Sequence, residues 1–198
     1  MKYWKYLVIA LLSFSLIEME LMWTRIFSAE FFYTFAFLTL SLAILGLGLG
    51  ALTLRLLPAL NRKNSLAIIL SLTGLMILVG PPLVFKLNLD FSVFFSSPVM
   101  IGKFIVTTIL LSSPYFLGGI ALALLFKRDY QQMPGLYMAD LLGAASGIIM
   151  AIVFMNILGT PKATFYSALP VLLAAFITGR TWLKVAPFLL VGLMIFLS

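Results

Sequence analysis

The sequence has no cysteine, no histidine and only six acidic residues. Without cysteine there are no disulfides, no thiol nucleophile and no thiolate metal site. Without histidine there is no Ser-His-Asp triad and no imidazole ligand for haem or zinc. A metal could be held only by carboxylates, and six of them scattered along 198 residues give little support to one. Charge is scarce altogether, at 10% of residues against roughly 25% in a soluble domain. There is no Ser/Gly-rich linker and no low-complexity tract, so the chain is read as one domain, 1–198.

Apolar residues fill the space that charge leaves. They make up 63% of the chain, and its mean hydropathy is +1.18. The apolar runs are continuous rather than alternating, which excludes the β-barrel pattern. About 20 helical residues cross a hydrocarbon core of ~30 Å, and runs of that length recur. The fold class is therefore all-α: a polytopic transmembrane helix bundle. Helices are placed at about 4–24, 31–55, 65–85, 101–126, 136–158, 163–178 and 182–197. That is seven spans, with six or eight as the neighbouring counts. The last two are short and could form an incomplete hairpin around Gly179-Arg180-Thr181. Pro114 lies inside the fourth helix, where the missing N–H favours a kink. Residues 87–98, LNLDFSVFFSSP, read as an aromatic loop at the membrane interface. The amino-terminal run has no small-x-small cleavage site after it and reads as an uncleaved first helix rather than a signal peptide.

The net charge of +7 would suggest nucleic acid in a soluble protein. Here the basic residues sit in short connections, where they report orientation. Lys2, Lys5, Arg55, Arg62, Lys63, Lys127, Arg128, Arg180 and Lys184 fall on one side. Arg25, Lys86, Lys103 and Lys162 fall on the other. The asymmetry places the amino terminus in the cytoplasm; the expected location is a membrane of the bacterial inner type. The immediate partner is the lipid bilayer; nucleic acid is not expected.

Ionisable groups inside spans are costly unless paired or facing a cavity. Glu18, Glu20 and Arg25 lie in the first helix, with Glu18 and Arg25 almost on one face and Glu20 roughly opposite. They read as an interfacial cap in which the glutamates reach toward Arg25 or Lys103. The competing reading is an acidic pocket holding a cation, with Glu30, Tyr33 and Thr34 on its rim. Asp140, near the start of the fifth helix, reads as a partner of Arg55 or as a carboxylate favoured by the helix dipole. A substrate or proton role is the alternative. Glu18, Glu20 and Asp140 are thus the substrate or ion candidates, and Arg25 and Arg55 the ion-pair candidates. No residue qualifies as catalytic, and no cofactor is implied.

Two small-residue ladders stand out. Gly46-x-x-x-Gly50 lies in the second helix and Gly143-x-x-x-Gly147-x-x-x-Ala151 in the fifth. Such ladders let helices approach closely, and their similar depth predicts a contact between the second and fifth helices. GLGLGA also matches G-x-G-x-x-A, but no strand precedes it and no acidic residue follows at the needed distance, so a dinucleotide site is rejected.

The run WTRIFSAEFFYTFAFLTLSLAILGLGLGA, 23–51, resembles the first helical hairpin of bacterial spermidine synthase-like integral membrane proteins. The run LYMADLLGAASG, 136–147, followed by NILG at 156–159, resembles a later helix of the same family. Together they cover about a quarter of the chain. The resemblance implies a membrane module that accompanies an aminopropyltransferase-like cytosolic domain. The glycine-rich cofactor loop and acidic base of that domain have no counterpart in this sequence. What it implies here is a non-enzymatic membrane subunit that anchors or scaffolds a partner, or the membrane part of a split aminopropyltransferase. A small carrier or channel for polyamines or other cations is the alternative from the residues alone.

Overall fold

A computed structural model describes residues 3–30, 34–62, 64–89 and 97–197. Every regular element among them is helical. In chain order these are α1 (Trp4–Glu30), α2 (Thr34–Leu56), α3 (Ser65–Lys86), α4 (Pro98–Arg128), α5 (Met133–Leu158), α6 (Thr160–Tyr166), α7 (Ala168–Thr178) and α8 (Val185–Leu197). Short 3-10 turns at Pro58–Leu60, Tyr130–Gln132 and Thr181–Lys184 join some of them. Tyr33, the Thr34 side chain and residues 90–96 of the aromatic loop lie outside the described residues.

Six helical runs are long and apolar enough to cross a membrane: α1 to α5, and the α6–α7 run Thr160–Thr178. The protein is therefore a multi-pass helical membrane bundle. The seventh helix is present as α8, but its 13 residues reach only about 20 Å at 1.5 Å each. That is short of the ~30 Å core. α8 packs on α7 and α3.

α1 is the hub. It touches α2, α4, α5, α6 and α7, and its buried residues run all the way round the helix. A helix that is apolar on every side belongs in the middle of a bundle. α5 is the reverse case: among its buried residues are Leu136, Gly143, Gly147 and Ala151, a single stripe, while much of the rest faces outward. In lipid an outward apolar surface needs no cover.

α4 runs through Pro114 without ending. A proline there leaves the carbonyl one turn back without its usual donor. That carbonyl belongs to Leu110, and the Ser113 hydroxyl donates to it at 2.9 Å. Gly159 joins α5 to α6 with φ of 78°, a left-handed conformation that side chains resist.

One end of the bundle collects polar groups from distant parts of the chain. The Lys5 ammonium pairs with Asp129. The Tyr6 hydroxyl donates to the Gln132 side chain at 2.6 Å. Arg128 donates to the Asn61 side chain at 3.0 Å and to the Arg62 carbonyl at 2.7 Å. The start of α1, the α2–α3 connection and the α4–α5 connection thus share one side, the side on which most of the basic residues were counted.

Candidate functional site

α1 presents its polar side chains to different neighbours, and that separation defines the site. Ser13 and Asp140 meet across the α1–α5 contact, the hydroxyl donating to the carboxylate. The same contact carries the α5 ladder. A methyl group at Gly143 would run into the Ala10 backbone, and one at Gly147 would lie 2.7 Å from the Phe14 carbonyl oxygen. α5 therefore lies flush on the α1 backbone, and Asp140 is tied at the inner end of that seam.

The expected contact between α2 and α5 is replaced by two others. α2 packs against α4, and α5 against α1. A Cβ at Gly46 would lie 2.9 Å from the Ser112 carbonyl oxygen, and one at Gly50 would overlap the Phe116 carbonyl. The reciprocal small residue is Gly119 of α4, which lies against the Leu47 backbone of α2. The ladders engage α4 and α1 because the hub helix stands between α5 and the rest of the bundle. Ladder spacing identifies a helix that others can approach closely; it does not say which helix approaches.

The expected ion pairs do not form among the described residues. Asp140 takes a hydroxyl from α1 rather than the Arg55 guanidinium, and Arg55 is exposed at the end of α2. Arg25 is likewise exposed, and neither Glu18 nor Glu20 pairs with it. The one ion pair between described residues is Lys5–Asp129, at the basic end. Asp129 lacked any signal beyond its charge, because its partner is 124 positions away.

Glu18 is fully buried, and both its carboxyl oxygens lack a hydrogen-bond partner among the described residues. It shares a face with Ser15 and Met22. The Ser15 hydroxyl oxygen accepts the Val171 N–H of α7 at 2.9 Å. Met22 packs in a buried cluster with Ala163 of α6 and Ala151 of α5. Glu18 lies between these two anchor points, so it faces the seam between α1 and the α6–α7 run. Ser167 sits midway between Val171 and Ala163; it is fully buried, and its hydroxyl donates to the Thr164 carbonyl at 2.7 Å.

Glu20 points the other way and is half-buried. It lies within electrostatic reach of Tyr115 on α4. The Tyr115 hydroxyl, the Thr107 hydroxyl and the Trp23 indole N–H are buried without a hydrogen-bond partner among the described residues. Trp23 packs against Phe27, with ring centroids 5.1 Å apart and ring planes tilted by 45°. The three candidate carboxylates thus go to three places: Glu18 to the α6–α7 seam, Glu20 toward α4, and Asp140 to Ser13. Among the described residues no group of three acidic side chains is close enough to hold a metal ion. Two cavities among the described residues are peripheral. One of about 360 Å³ lies between α3 and α8, lined by Ile68, Leu72, Leu189 and neighbours, and another of about 470 Å³ is lined by Tyr3, Trp4, Ile177 and Thr178.

Fold and site together define a glycine-knit, multi-pass helical membrane protein whose polar residues sit at separate helix contacts. No family model matches the chain, and neither the curated proteins nor the solved structures compared with it give a match.

Proposed function

We propose that the chain is a non-enzymatic membrane module that anchors or scaffolds a partner protein in a membrane complex, in a membrane of the bacterial inner type. The observation that carries this reading is the separation of Glu18, Glu20 and Asp140 onto different neighbours of α1. Acid–base chemistry needs its groups within reach of one reacting atom, and these three face apart. The residues behind the spermidine synthase-like resemblance support the same reading. Gly46, Gly50, Gly143 and Gly147 bring helix backbones together, and Asp140 binds Ser13. On that resemblance the partner is an aminopropyltransferase-like soluble chain, which would make this the membrane part of a split enzyme. The test is release of tagged full-length chain from its own membranes in mild detergent. A second polypeptide at fixed ratio, with aminopropyl-transfer activity in the complex, is the expected result. A lone, monodisperse chain overturns the proposal.

One observation favours a second reading, a small carrier for polyamines or other cations. Glu18 is a carboxyl inside a span without a protein partner, the kind of group that marks ion pathways. Liposomes holding the purified chain decide it. The carrier reading requires spermidine or monovalent cation uptake that Glu18→Gln abolishes. Absence of uptake, or uptake untouched by the substitution, removes it.

A further inference from the structure

We propose that Glu18 is a proton-binding site: its carboxyl is a neutral acid when α1 is closed against the α6–α7 run, and releasing the proton requires that seam to open. Three observations converge. The carboxyl is wholly buried and neither oxygen has a partner among the described residues. It stands between two fixed points, the Ser15–Val171 hydrogen bond and the buried cluster of Met22 with Ala163 of α6 and Ala151 of α5. The run across the seam is discontinuous, since α6 ends at Tyr166 and α7 begins at Ala168, and the Val171 N–H in the first turn of α7 is given to α1.

Among the described residues the charge environment offers no counter-ion. Of the elements packed on this face of α1, α7 has no titratable residue. α6 contributes Lys162, which is exposed, and Tyr166, whose ring lies against Phe154. α5 contributes Tyr137, which is exposed, and Asp140, which Ser13 occupies. On α1 itself, Arg25 and Glu30 are exposed, Lys5 pairs with Asp129, Tyr6 bonds Gln132, and Glu20 lies within electrostatic reach of Tyr115 of α4; Arg55 of α2 is exposed and Arg128 of α4 bonds Asn61 and Arg62. An uncompensated carboxylate in such a place costs several kcal/mol, whereas a neutral acid costs far less. When the seam parts, the carboxylic O–H bond breaks, the proton passes to water entering the gap, and the carboxylate left behind is hydrated. Closure reverses each step.

The full chain in lipid bilayers, examined by infrared spectroscopy at neutral pH, tests the first half. A C=O band of a protonated carboxylic acid is expected in the wild type and in Glu20→Gln, and is lost in Glu18→Gln. If the Gln variant does not fold, Glu18→Leu takes its place in the same comparison. A band unchanged by replacing Glu18 overturns the proposal. The second half is read by a membrane-permeant maleimide at Ala163→Cys, a buried position on the seam. Raising the pH should speed labelling more with Glu18 present than in the Glu18→Leu background, where only the thiol itself titrates. Equal acceleration in both overturns the opening of the seam.

Discussion

Gly143→Ala isolates the packing argument. A Cβ at this position would lie 2.6 Å from the Ala10 Cα and 2.7 Å from its carbonyl carbon. Carbon atoms pack best at roughly 3.5–4.0 Å, so α1 and α5 must separate by about 1 Å. The obstacle is backbone, which cannot rotate aside as a side chain can. Overpacking of this kind costs about 1–3 kcal/mol, or roughly 5- to 150-fold in the folding equilibrium. The Ser13–Asp140 hydrogen bond crosses the same contact and would be stretched with it. Gly48→Ala is the matched control: it is a helical glycine too, but an added methyl group meets nothing within 4 Å. Detergent-to-denaturant titration, followed by circular dichroism, should show Gly143→Ala unfolding earlier and Gly48→Ala unchanged or slightly steadier. If the two variants unfold together, the close approach of α5 to α1 is not what holds this face of the bundle.

Other substitutions follow from the same geometry. Ser13→Ala removes the donor to Asp140 and should cost about 1 kcal/mol in the same titration, near the usual worth of a hydrogen bond between membrane helices. Gly159→Ala puts a side chain on φ 78° and ψ 152°, a region nearly confined to glycine, and should cost about 1–3 kcal/mol, without affecting the α1–α5 seam. Arg55→Ala should leave stability within about 0.5 kcal/mol, because the guanidinium is exposed and Asp140 has another partner. Lys5→Asp should destabilise the basic end of the bundle, and adding Asp129→Lys should recover part of the loss; no recovery would mean that the pair contributes nothing.

The helices were legible in the sequence because apolar length is a direct consequence of bilayer thickness. α3, expected at about 65–85, is found at Ser65–Lys86. α1 runs six residues beyond the expected end, where Phe27 is in the core and packs against Trp23 while Arg25, Ala29 and Glu30 are exposed. The seventh helix also exists, but as a short α8 lying on α7 and α3. Partners were less legible than elements. Gly46 and Gly147 each mark a face that another helix can approach, yet a ladder has no signature of its complement, and both meet helices other than each other. The polar network was hidden for a related reason. Ser13, Ser15 and Asp129 look ordinary in sequence, since serine in an apolar helix commonly bonds its own backbone, and their partners lie 127, 156 and 124 positions away. Glu18 was visible as an anomaly of charge in an apolar run; its place opposite α6–α7 depends on the whole bundle.

The account holds that the glycines and Asp140 seat α5 on α1 and α2 on α4, so disulfide trapping in native membranes tests it most directly. Cysteines replacing Ser13 and Asp140 should cross-link readily on oxidation, and cysteines replacing Gly46 and Gly147 should not. Efficient cross-linking of 46 with 147, together with none between 13 and 140, would contradict it.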